Sequence, residues 1–98
     1  MKKAIVVKQL AFENIQKAYW WYEDQLKGLG EEFLDEWEAT ASHISVYSES
    51  YSKKYKSFRQ IVLKRFPYVV IYEIDDKDIV IYNVINMKRS TKKRFKKK

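Results

Sequence analysis

From Ala11 onward the apolar positions recur every three or four residues: Phe12, Ile15, Tyr19, Tyr22 and Leu26. That spacing is one face of a helix, with Ala18 on the same side and Trp20 and Trp21 widening it. Glu23 and Asp24 sit late in this helix, where its dipole disfavours acids. A second helical pattern starts at Glu31-Glu32 and runs to about Tyr47, with Phe33 or Leu34, Trp37, Ala41, Ile44 and Tyr47 as its buried stripe. Asp35, Glu36 and Glu38 face outward. Between the two lies Gly28-Leu29-Gly30, which holds both glycines of the chain. Gly28 is placed as a left-handed residue that stops the first helix, and Gly30 lets the chain reverse. The pattern predicts an αα-hairpin.

The rest of the chain has strand character. Lys3–Lys8 reads as a short edge strand and Ser48–Lys56 as a polar loop. In Ser57–Leu63, Arg59, Ile61 and Leu63 share one face and Phe58 and Val62 the other. Lys64–Ile74 is predicted as the central strand, with Val69 and Ile71 on one face and Tyr68, Val70, Tyr72 and Ile74 on the other. A strand apolar on both faces is covered on both, or covered on one and left for a partner on the other. Pro67 stands at its start, where a missing N–H costs least. Asp75-Asp76-Lys77 is turn chemistry leading into a last strand, Asp78–Ile85. The expected fold is α+β: a β-α-α-β-β-β order, two helices on a small, mostly antiparallel sheet, one domain over 1–90 and a basic tail over 91–98.

Composition narrows this further. With 46% apolar and 16% aromatic residues the chain has enough to bury one core. It has no cysteine, which excludes disulfides and thiolate metal sites. No run is long enough to span a membrane, and Ala4–Val7 is too short for a signal peptide, so a cytoplasmic setting is expected. Of the twenty basic residues, eight lie in Lys88–Lys98 with no acid among them. The remaining twelve face thirteen acids, so the net charge of +7 belongs to the tail. Such a tail attracts phosphate without reading sequence, or simply keeps the end solvated.

Several patterns coincide. Tyr19-Trp20-Trp21-Tyr22-Glu23 precedes Gln25, the Gly28-Leu29-Gly30-Glu31 turn and Phe33-Leu34. Arg59 and Leu63-Lys64-Arg65-Phe66-Pro67-Tyr68 follow, then Ile71-Tyr72 and Ile79–Val84 leading to Arg89. Over roughly residues 3–90 this combination resembles the RelE/ParE superfamily of bacterial toxins from type II toxin–antitoxin pairs. The resemblance implies an αα-hairpin on a small antiparallel sheet and a cognate antitoxin as partner. The sequence departs from the family where many ParE-like members carry histidine, since Asn86 stands there. Ser90-Thr91 and lysines replace an Asn-Pro and tryptophan, and the proline usual after the second helix is absent.

The family divides by target. RelE-like members cleave messenger RNA in the ribosome with lysine and arginine side chains on the sheet. The matching positions here are Gln60, Val62, Val69 and Met87. Cleavage through the 2′-hydroxyl needs a base, an acid and a cation for the developing charge, and none of these four supplies one. The resemblance is therefore closer to the ParE-like branch, whose members act on DNA gyrase. The alternatives are a ribosome-dependent endoribonuclease using Arg59, Arg65, Tyr68 and Arg89, and a basic nucleic-acid-binding module. Arg59, Lys64, Arg65, Lys88 and Arg89 are the candidate contacts to target or antitoxin.

Other chemistry is unpromising. His43, the sole histidine, reads as a helix-surface residue, and no metal site or cofactor is expected. Asp75, Asp76 and Asp78 lack calcium-loop spacing. Trp20, Trp21 and Trp37 read as helix-packing residues, and a solvent-exposed tryptophan would point instead to a protein-binding groove.

Overall fold

The computed structural model describes residues 3–88. In chain order these form β1 (Ala4–Val7), α1 (Gln9–Gln25), α2 (Leu29–Tyr47), a 3-10 turn (Ser48–Ser50), β2 (Lys53–Tyr55), β3 (Phe58–Val62), β4 (Tyr68–Asp75) and β5 (Asp78–Asn86). The sheet order is β1-β5-β4-β3-β2, with β1 parallel to β5 and every other pairing antiparallel. The α+β expectation therefore holds, with β4 at the centre. Ser48–Lys56 is more ordered than a loop. The carbonyl of the buried Ser48 accepts the Tyr72 hydroxyl at 2.7 Å, which ties the 3-10 turn to the sheet. Lys53 then pairs with Arg59 to start the extra strand β2.

The two faces of β4 divide as its alternation requires. Tyr68, Val70 and Tyr72 enter the larger core under the helices, and Ile74 packs against it. Val69 and Ile71 join Phe58 in a smaller cluster on the opposite face. Under the helices Tyr22, Phe33, Phe66 and Tyr68 meet, with Tyr22–Phe66 ring centroids 4.8 Å apart and Phe33–Tyr68 5.1 Å. The Lys64–Pro67 part of the expected central strand is instead a bent connection that delivers Phe66 to this aromatic cluster.

The helix stripes are rotated from those expected. α1 buries Ala11, Ile15, Ala18 and Tyr22. Phe12, Leu26, Trp20 and Trp21 are exposed, and so is Tyr47 on α2. The reason is steric: two alanines let α1 approach the sheet closely, so the larger apolar residues are turned sideways and outward. α2 buries Phe33, Trp37, Ile44 and Ser45.

The hairpin turn uses its two glycines differently. Gly28 has φ +92°, the left-handed region, with no neighbour near the place a Cβ would take. Gly30 lies inside α2, and a Cβ there would sit 2.6 Å from the Tyr19 carbonyl oxygen. It is needed for helix–helix approach rather than for reversal. Glu23 turns its unfavourable place to use. Its carboxylate accepts the backbone N–H groups of Gly28 (2.9 Å) and Gly30 (3.0 Å), capping the start of α2. The β4–β5 hairpin closes through Asp76-Lys77, with Asp76 at φ +56°. A register shift between Ile71 and Tyr72, whose partners are Asn83 and Ile81, puts a bulge in β5 at Tyr82, beside Asn83. Asn83 Oδ1 there accepts Asn14 Nδ2 of α1 at 2.6 Å.

Candidate functional site

Strand alternation and the register of β3 on β4 bring the four family-matched positions together on the sheet face away from the helices. Phe58, Gln60 and Val62 alternate onto that face from β3, and Val62 pairs directly with Val69 of β4. Val69 pairs in turn with Ile85 of β5, and Met87 follows two residues later. Phe58, Val69 and Ile71 form the buried centre, and Tyr82, Ile85 and Met87 pack around it half-buried. Val62 is 46% exposed at the margin. Among the described residues no helix or strand lies over this face. Gln60 Oε1 is the one buried side-chain polar atom among them that finds no partner.

At the edge of this face Glu73 accepts the Ser57 hydroxyl. The Tyr82 phenol is pushed up by burial and by its hydrogen bond to Glu73. Tyr72, under the helices, is pushed up to about 12, chiefly by burial and against the opposing pull of Arg59. Neither phenol is poised to exchange a proton near neutrality. The matched positions of this face therefore offer apolar contact and one amide, and Lys8 brings its ammonium over the Tyr82 ring, 5.9 Å from the centroid.

Among the described residues, Arg59 and Arg65 are engaged by different partners. Arg59 points its Nη1 at the Tyr51 carbonyl (2.5 Å). Arg65 forms an ion pair with Glu32, and its backbone N–H donates to Glu36 at 2.8 Å. Its guanidinium is thereby bound to α2, which pulls its pKa up through the Glu32 hydrogen bond first. Lys64 lines a hollow with Glu36, Thr40, His43 and Tyr51. Tyr68 is buried in the aromatic cluster and lines a hollow with Asn14, Lys17, Trp21 and Asn86. Lys88 is exposed just after β5. Arg89 and the tail over 91–98 lie outside the described residues. The acids that hold Arg65 were visible in the sequence as Glu31-Glu32 and Asp35-Glu36, but their partner sits 33 positions away and no local signal joins them.

His43 is a surface residue as expected, its Nε2 2.8 Å from the Tyr51 hydroxyl. No group of three or more potential metal ligands occurs among the described residues. Among those residues no helix is long and apolar enough to cross a membrane. The tryptophans divide. Trp37 is buried as expected, whereas Trp20 is 60% exposed and Trp21 48%. Trp20 lines a hollow of about 410 Å³ with Val7, Phe12, Tyr19 and Leu34.

Comparison with known proteins agrees with this arrangement. The family model described as ParE toxin of type II toxin-antitoxin system, parDE, matches residues 5–91. No curated protein matches the sequence. Among solved structures, a chain of the "Chromosomal ParDE TA system from P. aeruginosa" superposes with a TM-score of 0.73 at 13% identity, covering 87% of this chain and 96% of that one. At that identity the likeness speaks for the fold.

Proposed function

The chain belongs to the ParE toxin family of type II toxin–antitoxin systems, and from that premise we propose that it is silenced by a cognate antitoxin and acts by binding DNA gyrase in the cytoplasm. The observation that carries the binding reading is the apolar face built on Phe58, Val69 and Ile71. Gln60, Val62, Val69 and Met87 share that face, and RelE-like cleavage needs cationic or titratable groups at those positions. An amide, two valines and a thioether neither transfer protons nor balance phosphorane charge. Arg59 and Arg65 do not replace them, because each is held by a different partner. Arginine also stays charged and is a poor proton shuttle.

Two measurements run side by side test this reading. The protein is induced without its antitoxin, and primer extension is read on a translated messenger. Supercoiling by purified gyrase is assayed with the purified protein. The expected result is loss of supercoiling with an uncut messenger. Codon-positioned cuts with normal supercoiling would reject the gyrase reading in favour of an endoribonuclease.

A further inference from the structure

The charges of the described residues are segregated. Residues 9–47, which hold the two helices, carry eight carboxylates and two lysines. Residues 50–72 carry six basic side chains and no acid. The six are Lys53, Lys54, Lys56, Arg59, Lys64 and Arg65. Arg65 is taken by Glu32 in the one ion pair among the described residues, which leaves the other five outside any. Lys53, Lys54, Lys56 and Lys64 are exposed.

Contacts join these cations into one band along the β2–β3 flank of the sheet. Lys53 of β2 pairs with Arg59 of β3. The Arg59 guanidinium is fixed by its bond to the Tyr51 carbonyl at 2.5 Å. The Tyr51 hydroxyl lies 2.8 Å from His43 Nε2, and both side chains share a hollow of about 290 Å³ with Lys64. At the other end the chain turns at Lys56, φ +53°, with the Lys56 ammonium 5.4 Å from the Tyr55 ring centroid. Lysine at a sheet edge also discourages strand pairing. That role accounts for Lys53 and Lys54 in β2, but not for Lys56 and Lys64, which lie outside any strand. The one carboxylate lining the hollow, Glu36, accepts the Arg65 backbone N–H at 2.8 Å.

We propose that this band binds duplex DNA by its phosphates. From Ser52 to Ser57 the flank presents lysines, serines and Tyr55 and no aliphatic side chain, so it lacks the apolar centre of a protein interface. Single-stranded nucleic acid is held on successive stacking platforms. Here Tyr55 is the widely exposed ring of the band, and Tyr51 is half-buried and bonded to His43. Unpaired lysines without a row of platforms match a backbone whose bases stay stacked inside. The contact is sequence-neutral, and it weakens with salt as condensed cations return to the DNA. This inference goes beyond the gyrase reading and does not depend on it.

The test is fluorescence anisotropy of the full chain with a labelled duplex of random sequence, about twenty base pairs long, over a series of salt concentrations. Two triple variants lose the same charge. Lys53→Gln, Lys54→Gln and Lys56→Gln empty the band. Lys17→Gln, Lys27→Gln and Lys77→Gln remove exposed lysines elsewhere. The band variant should bind at least about tenfold more weakly, with the slope of log affinity against log salt reduced by about 2–3, three contacts at about 0.9 each. The control variant should stay within about twofold of the original. Lysine acetylation of the unaltered chain gives a second readout: duplex should protect Lys53, Lys54, Lys56 and Lys64 and leave Lys17 and Lys27 reactive. Equal losses in the two variants would assign binding to net charge and overturn the proposal. So would tighter binding of the single strand, equal binding of polyglutamate, or acetylation of the band unchanged by duplex. Gyrase is absent from these measurements, so their failure leaves the gyrase reading standing.

Discussion

The two faces of the sheet bury apolar side chains from the same strands, yet they are finished differently. Under α1 and α2 the residues interlock: Phe33 and Tyr72 are fully buried, and the rings of Tyr22, Phe33, Phe66 and Tyr68 contact one another. On the other face Phe58, Val69 and Ile71 are equally buried, but Val62, Tyr82, Ile85 and Met87 around them remain open to different degrees. One face is closed by the chain's own helices. The other ends in a partly wet apolar margin with the unpartnered Gln60 Oε1 inside it. The helix face should set stability, and the open face is the one proposed above to meet a partner. Substitutions should separate the two.

Phe33→Ala should produce the largest effect. Phe33 is 0% exposed and touches rings from α1, the β3–β4 connection and β4. The cavity left by its removal should cost about 3–5 kcal/mol, enough to unfold much of a domain this small. Urea denaturation measures it. A loss below about 1 kcal/mol would show that the helix face is not the stabilising one.

The second test is alkaline. A free tyrosine ionises near pH 10, and Tyr72 in the fold ionises at about 12. Between those values the unfolded chain has released a proton that the folded chain retains. Stability from this group is therefore complete below pH 10 and falls as pH rises toward 12, by about 2–3 kcal/mol over the window. Tyr72→Phe should flatten that slope while losing about 1 kcal/mol at neutral pH, from the hydrogen bond to Ser48. A slope that persists in the variant would assign it to another phenol, such as Tyr82.

Gly28→Val comes third. The site has room for the side chain, but φ +92° does not suit a β-branched residue, so unfolding free energy should drop by about 1 kcal/mol or more. An unchanged denaturation midpoint would reject the left-handed turn as the device that orients the helix pair over the sheet.

The alternation in β4, the hairpin at Asp75-Lys77 and the turn at Gly28 were all legible in the sequence, because each is a local signal of period or backbone conformation. The rotation of α1 was not. Phe12 and Leu26 outrank Ala11 and Ala18 in hydrophobicity, yet close approach to the sheet favoured the alanines. The β2 strand was hidden because lysines and serines disfavour strand formation, and only its pairing with β3 recovers it. Of the candidate site, the shared face of Gln60, Val62 and Val69 could be read from alternation. The diversion of Arg65 to Glu32 could not, since charge pairs across 33 residues leave no periodic trace.

The smallest stability effect and the sharpest functional one should come from Val62→Lys. Val62 ends β3 on the open face and is 46% exposed, so a lysine there keeps its stem against Val69 and its ammonium in water. The unfolding free energy should change by no more than about 0.5 kcal/mol. If the open face binds its target by apolar contact, a desolvated ammonium at its margin should cut gyrase inhibition by about tenfold or more. The same substitution also places a cation where RelE-like cleavage requires one, which gives the variant a second readout. One lysine without an acid and a base nearby should not create messenger cleavage. A variant that folds normally and inhibits gyrase as well as the original would move the contact surface off this face, toward the edge of β1 and the exposed Trp20.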